Sequence, residues 1–322
     1  MKKVKLGIVG AGNIARQHLE VINDIDFMQV EAVASRTRAK AEQLAADYKI
    51  KNCFDTLEEM LKAGSLDGLM ILVSPEEMFS VVSRAITYGL PLFIEKPPAL
   101  SLKKVAELVG LADRYLSKTM VGFNRRFYSV FHKGLEAIKA QGPLLAVSVT
   151  GHERMWRIRS GKKHSEQTMS NWIIANSTHT IDLLRFFGGD VSNLSSINHS
   201  YREKNGDQFS AIMELSCGAI GQYNSFWYSP GGWGATLYGD GLTVEFQPLE
   251  KGKITDKDFK VTEINPDEED LKHKPGFYKQ MKAFGELVVS GKSQWPAVNL
   301  KEAYQTVALA EKIAFSNQGG QI

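Results

Sequence analysis

The segment Gly10-Ala11-Gly12-Asn13-Ile14-Ala15 has the G-x-G-x-x-G/A spacing of a dinucleotide-binding turn. It follows the apolar run Val4 to Val9 and opens an amphipathic stretch, the context that gives such a match its force. Each position answers a physical need. Gly10 permits the tight turn, Gly12 lets backbone approach a pyrophosphate, and the small Ala15 allows close packing of helix on strand. The anion is expected at the helix start, over Asn13 and Ile14, where unpaired N–H groups and the positive dipole end receive it. The end of the second strand distinguishes the two nicotinamide dinucleotides, because an acid there binds a free ribose 2'-hydroxyl and an arginine accommodates a 2'-phosphate. The chain reads Ala34-Ser35-Arg36-Thr37-Arg38 and has no acid at that place. Ser35, Arg36 and Arg38 are therefore expected to favour NADP(H) over NAD(H); the competing reading makes both arginines solvated residues at a helix start.

The elements that must position this turn are legible as a pattern. Apolar runs at Val4 to Val9, Val30 to Ala34, Leu69 to Val73, Leu92 to Ile94 and Thr119 to Phe123 alternate with amphipathic stretches at Ile14 to Ile22, Ala39 to Tyr48, Leu57 to Lys62, Met78 to Tyr88 and Leu102 to Tyr115. Continuous apolar strands with helical spacers predict a doubly wound parallel sheet of Rossmann type over 1–125. Past Arg126 the grammar changes. A helix, a strand ending near Thr150, a polar loop and a helix from Ser170 to Phe187 precede a series of strands: Val191 to Tyr201, Gln208 to Ser216, Ala219 to Tyr228, Gly234 to Gly239 and Leu242 to Gln247. Turns with Gly or Asn between them predict a large, open, mostly antiparallel sheet in an α+β domain over 126–322. Lys251 to Lys274 reads as polar connection, and helices at Phe277 to Val289 and Leu300 to Ser316 close the chain.

Composition sets the outer limits. With 322 residues, 43% of them hydrophobic, the chain is long enough for about two domains with their own cores. Thirty-nine basic against 36 acidic residues leave a net charge of +3, with no basic stripe to hold a nucleic-acid backbone. The basic start and short apolar run before Gly10 superficially resemble a signal peptide, but the run is short and glycine-rich. No stretch approaches the ~20 apolar residues needed to span a bilayer, so a cytoplasmic protein is expected. Cys53 and Cys217 lack the spacing of a zinc or redox motif and read as small core residues, and the scattered histidines suggest no metal site.

Three further segments, Glu95-Lys96-Pro97-Pro98, Gly122-Phe123-Asn124-Arg125-Arg126-Phe127 and His179-Thr180-Ile181-Asp182, resemble signatures of the glucose-fructose oxidoreductase and inositol dehydrogenase family. The resemblance runs over essentially the whole chain. It implies a Rossmann domain, an open-sheet domain that often mediates homodimers or homotetramers, and a sugar or cyclitol oxidised or reduced by a nicotinamide cofactor. Alcohol oxidation needs a group within hydrogen-bond reach to take the hydroxyl proton. Lys96 could do so only when neutral, far below its ordinary pKa of ~10.4, whereas imidazole titrates nearer neutrality. The resemblance thus gives Lys96 the task of orienting and polarising the reacting oxygen and His179 that of sharing or relaying the proton. Glu95, Lys96, Asn124 and Arg125 become cofactor neighbours, with an interdomain salt bridge as the alternative for Arg125 and Arg126. Asp182 is assigned to orienting its helix.

Two departures bear on the chemistry. Many family members carry an acid four residues before the histidine, where this chain has Ala175; Asn176, beside it, can bind a hydroxyl but exchanges no proton near neutrality. Where the family often has Thr-Pro-Asn-x-x-His, this chain has Ser74-Pro75-Glu76-Glu77-Met78, so only Ser74 and Pro75, with Val73 before them, are expected as cofactor neighbours. The segment from Arg154 to His164 holds five cations and one histidine. In the family this loop approaches the substrate. Arg157 and Arg159 could take a carboxylate or phosphate and Trp156 could face a sugar ring, with a solvated loop or oligomer contact as the rival reading. Trp233 reads as sheet packing. Three functions stay open: a dehydrogenase or reductase of a sugar-like alcohol or ketone, a glycoside hydrolase using held nicotinamide on the same scaffold, and a catalytically silent dinucleotide sensor.

Overall fold

The structure, a computed structural model, describes residues 3–315. These divide into two compact units, one of 3–124 with 269–304 and the other of 125–268 with 305–315. The division returns a C-terminal stretch to the first unit, which the sequence reading of 126–322 as one domain does not contain.

The first unit alternates β1 (Val4–Val9), α1 (Asn13–Ile22), β2 (Met28–Ala34), α2 (Arg38–Tyr48), β3 (Asn52–Phe54), α3 (Leu57–Ala63), β4 (Gly68–Ile71), α4 (Pro75–Ile86), β5 (Leu92–Ile94), α5 (Leu102–Arg114) and β6 (Thr119–Val121). The strands form one sheet in the order β3-β2-β1-β4-β5-β6, parallel at every pairing. Leu6, Ile8, Leu69, Met70, Ile71 and Phe93 are fully excluded from solvent, because crossover helices leave both faces of such a sheet covered. Strand β3 escaped the sequence pattern: at three residues, with Asn52 exposed, it is an edge too short to show an apolar run.

The second unit begins with a 3-10 turn at Asn124–Phe127, then α6 (Ser129–Gln141), β7 (Leu144–Gly151), α7 (Met155–Gly161), α8 (Glu166–Ser170), a π-type turn at Ile173–Ser177 and α9 (Thr178–Gly188). Strands β8 (Val191–His199), β9 (Gln208–Leu215), β10 (Ile220–Phe226), β11 (Trp233–Gly239), β12 (Leu242–Phe246), β13 (Gly252–Asp256) and β14 (Val261–Ile264) follow. Their sheet runs β14-β13-β12-β11-β7-β10-β9-β8 and is antiparallel except where β7 pairs with β10. Three expectations change here. The polar loop contains α7 and α8, the helix from Ser170 is broken by the π-type turn, and the connection after Lys251 contains β13, β14 and α10 (Glu268–Lys272). The two late strands form the sheet's end, where exposed polar side chains such as Lys253 and Glu263 hide strand periodicity.

One face of this sheet is packed and one is open, as alternation along β9 records: Phe209, Ala211, Met213 and Leu215 are buried, while Ile212 and Glu214 are exposed. The core is a cluster of rings. Phe131 of α6 meets Phe246 of β12 at 4.8 Å and Phe187 of α9 at 5.2 Å. Helix α6 comes this close because Gly134 has no side chain; a Cβ there would lie 2.5 Å from the Phe246 ring. Arg126 forks onto Asp182, with Nε donating to Oδ2 at 2.7 Å and Nη2 to Oδ1 at 2.8 Å, and Thr306 adds a third bond at 2.8 Å. Arg126 is thus paired within one unit rather than across two, and Asp182 anchors its helix. Helices α11 (Phe277–Ser290) and α12 (Leu300–Phe315) close the described chain; position 316 of the expected closing helix lies outside the described residues. Among the described residues no helix is long and apolar enough to cross a membrane. Cys53, in the edge strand β3, is half-buried and Cys217, in a turn, is exposed, so neither is a core residue.

Candidate functional site

In the first unit the glycine turn is built as its spacing predicts. Gly10 holds φ +111°, and a Cβ there would stand 2.4 Å from the Leu72 carbonyl oxygen, so conformation and space both require glycine. Gly12 is different: it starts α1 at φ −89°, and a Cβ on it would meet nothing within 4 Å. Its lack of a side chain leaves open the approach to the helix N-terminus. Ala15 is fully buried beneath. Helices α3 and α5 are capped by side chains, Thr56 Oγ1 accepting from the Glu59 N–H at 3.1 Å and Ser101 Oγ from the Lys104 N–H at 3.4 Å. Helices α1, α2 and α4 start at Gly12, Thr37 and Ser74 with no side-chain cap. All three starts line one cleft of about 460 Å³ with Gly10, Ser35, Arg36, Lys40, Val73 and Glu77. A cleft ringed by uncapped helix starts fits the phosphates of a dinucleotide.

Of the two arginines expected at that cleft, one lines it. Arg36 lines it and pairs with Glu77 at 3.1 Å, with a side chain 77% exposed. Arg38 does not line it. Its Nε donates to Glu42 Oε1 at 2.8 Å and its Nη1 lies 3.7 Å from Asp55, which hold the guanidinium above the ordinary arginine pKa. Lys40, in the first turn of α2, lines the cleft instead.

On the same carboxyl edge of the sheet, half-buried Lys96 follows β5, and its backbone N–H donates to Glu95 Oε2 at 2.8 Å. The other Glu95 oxygen lies 3.3 Å from His18 Nε2. That imidazole stacks on Phe277 at 4.7 Å and meets Phe93 edge-on at 5.1 Å. Gly122 leaves room for the carboxylate, which a Cβ there would crowd to 3.1 Å. Buried Asn124 donates from Nδ2 to the Pro275 carbonyl oxygen at 3.0 Å.

In the second unit a separate cavity of about 340 Å³ is lined by His152, Glu153, Arg154, Arg157, Asn176 and Trp233, among others. Trp233 is more than sheet packing. Arg125 stacks its guanidinium 4.4 Å over the indole, and the His179 ring lies 5.9 Å away at 50°. His179 itself is 8% exposed. Arg157 is exposed and, among the described residues, has no ion-pair partner. Arg154 is tied down, its Nε donating to the Gly231 carbonyl oxygen at 2.8 Å.

Two members of the expected cation loop are elsewhere. Arg159 donates from Nε to Glu203 Oε1 at 3.0 Å and from Nη1 to Glu166 Oε2 at 2.9 Å, so its charge is neutralised and its pKa is held above the ordinary arginine value. Arg159 and Trp156 both lie off the cavity lining, Trp156 at 42% exposure. Sequence reasoning also missed Glu153, whose carboxylate is 5% exposed and accepts from Asn176 Nδ2 at 2.7 Å and Ser177 Oγ at 2.6 Å. No spacing rule links residues so far apart in the chain.

Residues 4–123 match the family described as "Oxidoreductase family, NAD-binding Rossmann fold". The rhizopine catabolism protein MocA of Rhizobium meliloti is 29% identical over 127 residues, 39% of each chain. Inositol 2-dehydrogenase of Rhizobium meliloti (strain 1021) is 26% identical over 194 residues, 58% of this chain and 56% of that one. The matched stretches therefore span between 39% and 56% of those two relatives' lengths. A dehydrogenase structure from Chromobacterium violaceum shares the fold at TM-score 0.84, with 18% identity over 98% of this chain and 95% of that one. The likeness to this oxidoreductase family, with its NAD-binding Rossmann fold, rests on residues 4–123 of the chain.

Proposed function

We propose that the protein is an NADP(H)-preferring oxidoreductase that moves a hydride between nicotinamide and a carbinol or ketone carbon of a sugar, cyclitol or anionic sugar derivative. The observation that carries this reading is the cleft in which Gly10, Gly12 and three uncapped helix starts face Arg36 and Lys40. When bound, the nicotinamide supplies or accepts the hydride. The N–H groups of Asn13 and Ile14 hold its pyrophosphate, Ser35, Arg36 and Lys40 hold the 2'-phosphate, and Val73, Ser74, Pro75, Glu95, Asn124 and Arg125 are its further neighbours. To take the phosphate, Arg36 leaves Glu77, an exposed ion pair of small net worth.

Lys96 donates a hydrogen bond to the reacting oxygen, and His179 takes or returns the hydroxyl proton. Arg157 meets a substrate carboxylate or phosphate and Asn176 a hydroxyl. The protein works in the cytoplasm and forms a homodimer or homotetramer through the open face of the second sheet, where Ile197, Ile212, Ile220 and Phe226 are exposed; light scattering is expected to return a multiple of 35.8 kDa.

The test follows absorbance at 340 nm with NADP+ against two pools, neutral polyols and cyclitols in one, uronates and sugar phosphates in the other. Reduction with the anionic pool, lost in Arg157→Ala, is the expected result. Reduction confined to the neutral pool removes the anionic substrate. Release of free sugar without net cofactor reduction replaces the dehydrogenase with a hydrolase.

A further inference from the structure

The turn Ile173–Ser177 leads directly into α9, whose second residue is His179. Its π-type geometry spreads the backbone bonds by one residue, and such turns persist where their surroundings impose them. Ala175 at its centre is buried and offers no polar group. A carboxylate nevertheless reaches the turn, from another element. Glu153, two residues past the end of β7, accepts from Asn176 Nδ2 at 2.7 Å and from Ser177 Oγ at 2.6 Å, one donor on each oxygen.

The strand behind it has no slack. Ser225 Oγ donates to the Gly151 carbonyl oxygen at 2.5 Å, and a Cβ on Gly151 would stand 2.6 Å from Tyr223 Oη and 2.9 Å from Thr180 Oγ1. Thr180 Oγ1 donates to the Ser177 carbonyl oxygen at 2.9 Å, and Thr178 Oγ1 to that of Ile174 at 2.9 Å. Strand, turn and helix start are thus one polar lattice in which Glu153 is the anion. Burying a carboxylate is costly unless both its oxygens are satisfied, so the carboxylate and the turn hold each other in place.

We infer that Glu153 is the positioning residue of the second unit's cavity: its carboxylate, brought from β7, clamps Asn176 and Ser177, fixes the π-type turn and thereby sets the orientation of the His179 ring beside Trp233. It supplies from a neighbouring strand the acid that the turn lacks at Ala175. This rests on the reading of His179 as the proton-handling group, but its test does not need turnover.

Imidazole resonances of the full chain, labelled with 15N and assigned through His179→Gln, are followed through a pH titration. In Glu153→Ala the His179 signals are expected to move and broaden, because the turn that orients the ring loses its clamp. Glu153→Gln keeps an acceptor oxygen and the side-chain length, and returns the signals toward their wild-type positions. Ser177→Ala removes one of these contacts and shifts the His179 signals the same way by less, so it serves if Glu153→Ala does not melt cooperatively. Once a substrate is known, Glu153→Ala lowers kcat on the order of 100-fold with the KM for cofactor unchanged, the cost of a misplaced proton group. His179 signals identical to wild type in the most severe variant that folds overturn the inference, whatever the activity assays return.

Discussion

The two cavities are made of different material. In the first unit the site is backbone: a glycine with φ +111°, a bare helix start at Gly12, and cations that stand exposed at the rim. In the second it is side chain: Glu153, 5% exposed, lines the cavity and is held by Asn176 and Ser177, while His179, 8% exposed, packs beside Trp233 of its wall. A site made of backbone is set by two or three residues and accepts change around them. A site made of buried side chains has each orientation fixed by a neighbour, so a substitution one contact away is felt at the centre.

The contrast is broken most sharply through Asp182. Asp182→Ala leaves the Arg126 guanidinium buried without its fork and is expected to cost about 3–5 kcal/mol in denaturant unfolding, with α9 displaced. A loss below about 1 kcal/mol would mean that the second unit tolerates change as the first does. Next come the two glycines. Gly10→Ala meets both a positive φ and the Leu72 carbonyl oxygen, and is expected to cost about 3 kcal/mol. Gly12→Ala meets nothing, so its melting temperature stays at wild type while NADPH affinity falls roughly tenfold or more as the methyl group blocks the pyrophosphate. Equal losses of stability in the two variants would refute the distinction between turn and cradle.

Arg36→Ala should weaken NADPH by roughly tenfold and leave NADH nearly unchanged in parallel fluorescence titrations, since one charge-assisted contact is lost. The smallest effect is expected at Arg159. Hydrogen bonding from Arg159 is the main cause that holds the Glu203 carboxyl below its ordinary value of 4.5, with Tyr228 adding to it. A carboxyl with a lowered folded pKa contributes stability above the ordinary value and loses it as pH falls through the lowered one. The melting-temperature advantage of wild type over Arg159→Ala is therefore present near neutrality and vanishes at lower pH. An advantage that persists into acid would show that packing, not charge, holds α7.

What could be read from the sequence follows the same division. The Gly10 to Ala15 turn was legible because local conformation and backbone approach are encoded within six residues, and parallel strands buried on both faces announce themselves as apolar runs. Arg36 was legible by its place after β2. Lys40 for Arg38 was not, because which of two nearby cations faces a cleft depends on carboxylates at Glu42 and Asp55. Arg159 has the composition of an anion clamp and lost that role to Glu203 and Glu166, which no local pattern ties to it. Strand β3 at one sheet's edge and β13 and β14 at the end of the other are short, polar or open on one face, and such strands resemble loops in a single sequence. Glu153 was hidden for the same reason as Trp233: its meaning lies in partners brought together by the sheet.

The central claim is tested most directly by calorimetric titration of the wild-type protein with NADPH and with NADH under the same ionic strength. The account predicts one site per chain, with NADPH bound at least tenfold more tightly and that preference removed in Arg36→Ala. Binding of neither dinucleotide, or tighter binding of NADH, would contradict it.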